Sequence, residues 1–209
     1  KKIYDEVMDR IRPYVKENNQ KLLSSVNSRL TEDVWNKYCL GNISKWEMDS
    51  VSCYFHEHEL AHVDNTYYGF SNFFDLAEEP EIERVFEIKG KRVPIFKIHR
   101  IYGTVLDRDK MKKLVTLLTP EGVVTVKIFG EVFNIYDRQI SEKGVDGKKH
   151  VKEKSTFARG NKIVVCGIRD GDSFRAKKYK ATPYHLCELI EEVYPDGKIK
   201  MRPRLELDE

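Results

Sequence analysis

No apolar run in this 209-residue chain approaches the roughly 18–20 residues a membrane-spanning helix needs, and the mean hydropathy is −0.57, so membrane partners are not expected. Cysteine is scarce. Cys39, Cys53, Cys166 and Cys187 lie far apart and form no CxxC pair, which argues against a disulfide framework and against a cysteine zinc site. They read as reduced, mostly buried thiols of a cytoplasmic protein. There is no GxxxxGK[ST] and no strand-linked GxGxxG, and no Ser or Cys stands beside a His at nucleophile spacing. The opening Lys1-Lys2-Ile3-Tyr4-Asp5 has neither a leading methionine nor a signal-type apolar stretch, so the chain reads as a piece of a longer protein.

What is present suffices for a core: 40% hydrophobic residues, with 11 Tyr, 10 Phe and 2 Trp. The net charge of +3 hides a strong asymmetry. Residues 1–88 carry a net −7, residues 89–180 a net +13 and residues 181–209 a net −3. A basic block between acidic flanks suggests a polyanionic partner for the middle of the chain.

Period separates the chain into parts. Ile3, Val7, Met8 and Ile11 recur at helical spacing, Pro13 marks a break or the first turn of a new helix, and Leu22, Leu23, Val26 and Leu30 continue the pattern. Thr31 is placed to cap a short helix that Gly41 stops. Ser44-Lys45-Trp46-Glu47 fits a capping box ahead of Met48, Val51 and Phe55. This assigns 1–55 to a helical segment and 56–88 to a linker with local anchors. From about residue 92 the period falls to two. The expected order is a long strand over 93–107 bent or bulged at Gly103, strands over 114–119 and 123–129, and a short helix over 131–140. A loop over 141–160 with Gly144, Gly147 and Gly160 follows, then strands over 161–168 and 173–180 and a terminal hairpin. Three strands, a helix and two strands are the order of an OB-fold barrel; an SH3-like barrel is the runner-up, and the helix after the third strand weighs against it. The expected class is therefore α+β: an all-helical N-terminal segment, then a five-stranded OB barrel over 89–205 with a terminal hairpin.

Two constellations could carry chemistry. His58-Glu59-Leu60-Ala61-His62 is a literal HExxH, in which zinc hydrolases use two histidines as ligands and the glutamate to activate water, with Glu78 or Glu79 available as a third ligand. The second is cationic and aromatic. Thr125, Lys127 and Phe129 share one face of a strand by alternation, with Val124, Val126 and Ile128 on the core face. Arg175, Lys177 and Tyr179 alternate on the fifth strand. Arg108, Lys110, Lys112 and Lys113 fill the first barrel turn, and Arg169 flanks the last. Lysines can neutralise phosphates and an exposed Phe can stack a base, so the expected partner is a single-stranded nucleic acid. No catalytic set and no cofactor is expected here.

Several runs carry a family resemblance. Trp46-Glu47-Met48-Asp49-Ser50-Val51-Ser52-Cys53-Tyr54-Phe55 with the turn His56-Glu57-His58-Glu59-Leu60, the strands at 101–110 and 115–127, and the runs Lys154–Asn161 and Gly167–Asp172 resemble the C-terminal part of bacterial DNA polymerase III alpha subunits. The resemblance implies the end of the fingers and clamp-binding helical region followed by an OB domain that holds single-stranded template. It also implies replisome partners such as the sliding clamp or clamp loader. The family's catalytic palm carboxylates have no counterpart here, and Gln20-Lys21-Leu22-Leu23 lacks the aromatic end of a clamp motif. A non-catalytic piece of a nucleotidyltransferase is the expectation. A zinc hydrolase and a protein-docking OB module are the alternatives.

Overall fold

The computed structural model describes residues 2–38, 43–88, 90–143 and 149–204, and divides the chain into two compact units, Lys1–Asn42 and Ile43–Glu209. The first unit is one continuous helix, α1 (Lys2–Tyr38), with Pro13 inside it. Pro13 removes one backbone rung, yet the helix neither starts nor ends there. Thr31 caps nothing: its hydroxyl donates to the Asn27 carbonyl at 2.8 Å, the back-bonding of a mid-helix threonine. Gly41 lies outside the described residues.

The second unit opens with α2 (Ile43–Val51). Ser44 is buried within it and donates to the Glu57 carbonyl at 2.7 Å, so the capping box does not form. Glu47 instead accepts from the amides of Phe55 (2.9 Å) and His56 (3.0 Å), fixing the turn that follows the helix. α3 (Asn65–Tyr68) is a single turn. The Asp64 carboxylate caps it, accepting from the Tyr67 amide at 2.9 Å, and Gly69 at φ 65° ends it. Within the stretch read as a linker, Leu60, Val63, Phe70 and Phe73 are all buried.

The strands are β1 (Ile82–Ile88), β2 (Lys91–Phe96), β3 (His99–Asp109), β4 (Leu114–Leu118) and β5 (Val123–Lys127). After α4 (Gly130–Asp137) come β6 (Ile140–Lys143), β7 (Lys149–Glu153), β8 (Lys162–Asp170), β9 (Ser173–Ala176), β10 (Cys187–Val193) and β11 (Ile199–Arg202). The run read as one strand over 93–107 is two: β2 pairs only with β1, and β3 begins after a break at 97–98. The region read as a loop over 141–160 carries the β6–β7 hairpin; Gly144 and Gly147 lie outside the described residues.

One sheet runs β11-β10-β8-β3-β4-β5-β9, and β9 also pairs with β8. That last pairing closes β3, β4, β5, β9 and β8 into a five-stranded barrel, with β5 and β9 parallel and the other neighbours antiparallel. The order is OB-like, and the chain is α+β. β3 serves two partners, β8 through Thr104 and β4 from Thr104 onward, with its extra residue between Val105 and Asp107 rather than at Gly103. Gly103 serves close approach: a Cβ there would lie 2.7 Å from the Leu118 carbonyl oxygen. The barrel core includes Ile101, Val105, Val115, Leu117, Val124, Val126, Ile163, Val165 and Phe174, plugged by Phe133 of α4. A second cluster, with Leu60, Val63, Phe70, Tyr102, Val164, Ile190 and Ile199, glues the 56–70 segment to the outside of β3, β8, β10 and β11.

Candidate nucleic-acid interface

Alternation on β5 sends Val124 and Val126 into the core, and Ile128 follows them. Thr125 and Lys127 therefore face outward, and Phe129, just past the strand, is 78% exposed. On β9 Phe174 and Ala176 are inside and Arg175 is partly exposed, although Ser173 on its side is buried; Lys177, partly exposed, follows just past the strand. Parallel pairing sets Thr125 beside Ser173 and Lys127 beside Arg175. On the other flank, antiparallel β4 sets Thr116 beside Thr125 and Leu114 beside Lys127. The result is a narrow outward ledge on β4, β5 and β9.

The cations expected at this interface divide by what already holds them. Arg108 donates to Ser155 Oγ at 2.6 Å and pairs with Asp137 at 2.7 Å, and Lys110 reaches the same carboxylate at 3.1 Å. Lys113 donates to Asn134 Oδ1 at 2.8 Å and stands 4.9 Å from the Phe133 ring centre. These three clip the β3–β4 turn to α4. Arg169 is half-buried against the 73–78 turn, donating to the carbonyls of Leu76 (2.7 Å) and Gly171 (2.9 Å) and covering the Phe73 ring. Arg175 leans on Asp170 at 3.7 Å. Tyr179 accepts from the Phe96 amide at 2.9 Å, and so ties the segment after β9 to β2. Among the described residues Lys112, Lys127 and Lys177 have no carboxylate partner; Lys177 rests near the Phe96 and Tyr179 rings. Of the expected set, then, Thr125, Lys127, Phe129 and Lys177 come together on one ledge, with Lys112 at the β3–β4 turn. Arg108, Lys110, Lys113 and Arg169 brace the fold.

Two residues beside the ledge were not foreseen. Lys178 and His185 line a cleft with Phe129 and Lys177. Lys178 was legible as the second member of a Lys-Lys pair, whereas nothing local in the sequence marks His185. Met111, at the apex of the β3–β4 turn, is 92% exposed, and the Asp109 carboxylate holds that turn by accepting from the amides of Met111 and Lys112, each at 2.9 Å.

The HExxH run forms a turn rather than a helix, so its two histidines do not share a helical face. His58 accepts from the Leu60 amide at Nδ1 (3.0 Å), which makes Nε2 the donor to the Leu118 carbonyl (3.0 Å). Burial pushes its pKa down to about 4. Glu59 is paired with Lys162 at 2.5 Å, and His62 with Glu57 at 3.3 Å. Both ring nitrogens of His58 are committed, and among the described residues no three His, Cys, Asp or Glu side chains converge. The zinc-hydrolase alternative loses its ligand and its base together.

Two DNA polymerases match this chain. The probable DNA polymerase YorL of Bacillus subtilis (strain 168) and the DNA-directed DNA polymerase of Bacillus phage SPbeta are each 41% identical to it over 202 residues. The match takes in 96% of this chain, which spans only 15% of the length of those relatives. No family model and no solved structure matches the chain. The chain is thus homologous to one segment of two DNA polymerases.

Proposed function

We propose that the second unit is an OB-fold domain that holds single-stranded DNA within a replicative DNA polymerase, in the manner of the polymerase III alpha subunit whose C-terminal sequence it resembles. The observation that carries this reading is the ledge. Lys127 at the end of β5 and Lys177 just past the end of the neighbouring β9 have no carboxylate partners among the described residues, and Phe129 offers an exposed ring close by in sequence to Lys127. Unpaired lysines attract phosphates, and a solvent-facing aromatic accepts a base whatever its identity. A few lysines beside one exposed aromatic suit an unpaired strand, whose bases are open to stacking, better than a duplex. In this reading the part this segment takes in polymerisation is to bind the strand, with catalysis left to other parts of the polymerase. Sliding clamp or clamp-loader subunits are proposed as neighbours on the strength of the resemblance alone.

The experiment is a titration of fluorescein-labelled oligo(dT) and of a hairpin duplex into the 209-residue protein. Preference for the single strand, weakened by Lys127→Ala and by Phe129→Ala, supports the reading. Equal binding of single strand by both variants and the parent refutes the ledge.

A further inference from the structure

Phe129 occupies the N-cap of α4 and makes no side-chain capping bond. That position favours Ser, Thr, Asp or Asn, whose side chains satisfy an amide of the first turn. A phenyl ring with 78% of its surface in water contributes neither a cap nor core packing. It stands at the mouth of a cleft of about 470 Å³, formed with Val132 and Ile135 of α4 and with Lys177, Lys178 and His185 on the opposite wall. That volume lies in the range of about 300–1,000 Å³ found for small-ligand sites. Its floor is apolar and its rim is basic.

The cleft continues the ledge. β5 and β9 run parallel with Lys127 beside Arg175; two residues further on, past the ends of both strands, stand Phe129 at the start of α4 and Lys177. Both line the cleft. A strand whose phosphates follow Lys127 is led directly to it. Among the described residues neither Lys177 nor Lys178 has a carboxylate partner, so the rim can take phosphates without breaking an ion pair.

We propose that this cleft is a nucleobase pocket: one unpaired base enters it against Phe129, Val132 and Ile135, while Lys177 and Lys178 hold the phosphates on either side. The proposal rests on the ledge reading above and adds a site to it. The base is taken as unpaired, since the apolar walls would grip its two ring faces and the ledge leading to it is read as holding a single strand. The apolar walls grip by stacking and burial, so the pocket tolerates any base. An apolar, acidic peptide is the competing occupant. The continuity with the ledge favours the base.

The test compares oligo(dT) with an oligomer of abasic sugars having the same number of phosphates, titrated into the 209-residue protein. Backbone contacts are common to both oligomers, so their ratio of dissociation constants reports on the bases alone. One base–aromatic stack predicts that the parent binds oligo(dT) about 5- to 140-fold more tightly. Phe129→Ala and Ile135→Gln should each shrink that ratio, while the binding of the abasic oligomer stays as in the parent. Phe129 is exposed and Ile135 sits at the cleft edge, 36% exposed, so the fold tolerates both changes. A ratio that survives both variants overturns the pocket and takes Phe129 out of the ledge, whose lysines then stand or fall by Lys127→Ala alone. A parent that binds neither oligomer removes the ledge and the pocket together.

Discussion

Arg169 on β8 and Lys127 on β5 carry the same charge in one barrel, yet they answer to different partners. The Arg169 guanidinium is spent on the carbonyls of Leu76 and Gly171 and on the Phe73 ring, whereas the Lys127 ammonium meets no carboxylate among the described residues. Replacing Arg169 with Ala should therefore cost about 1.5–3 kcal/mol of stability, the worth of charge-assisted hydrogen bonds, in a chemical denaturation curve. Lys127→Ala should leave that curve in place. A second residue-scale prediction concerns His58. Burial holds its folded pKa at about 4, below the ordinary imidazole value of 6.5. The unfolded chain therefore takes up the proton first as pH falls, and stability declines between about pH 6.5 and 4 by an amount on the order of 3 kcal/mol. His99, also pushed down chiefly by burial, acts in the same direction. His58→Gln keeps a donor for the Leu118 carbonyl and should flatten the slope of stability against pH; an unchanged slope would assign it to other groups.

Closure of the barrel depends on β9, only four residues long, which pairs with β5 on one side and β8 on the other. Gly167 lets β8 approach it: a Cβ there would stand 2.2 Å from the Arg175 carbonyl oxygen and 2.8 Å from the Phe174 ring. Gly167→Ala must push backbone apart at the seam. It should cost about 3 kcal/mol, the upper end of overpacking penalties, with amides of β9 losing hydrogen-exchange protection before those of β3. At this scale the sequence was legible where side chains alternate cleanly. The core face Val124, Val126 and Ile128 and the outward Thr125 and Lys127 followed from period two alone. It was illegible where long-range contacts decide. Pro13 sits inside a helix that local rules would interrupt. Ser44 and Glu47 serve the Glu57 carbonyl and the Phe55–His56 turn instead of a capping box. The split of 93–107 into β2 and β3 follows from strand partners that no local pattern reveals. The sequence marks Arg108, Lys110 and Lys113 only as basic; their ties to Asp137 and Asn134 on α4 exist only once the turn and helix meet.

Over the whole molecule, the +13 of residues 89–180 divides into cations that hold the barrel together and cations left for solvent or a ligand. Only the latter should govern a response to salt. The most direct measurement is the salt dependence of oligo(dT) binding by the 209-residue protein, compared with a Lys112, Lys127 and Lys177 triple alanine variant. Each neutralised phosphate of a single strand contributes about −0.7 to the slope of log affinity against log salt, so the variant should lose about 2 from the parent's slope while its melting temperature stays unchanged. A parent without single-strand affinity at low salt, or a variant with the parent's slope, would contradict the account.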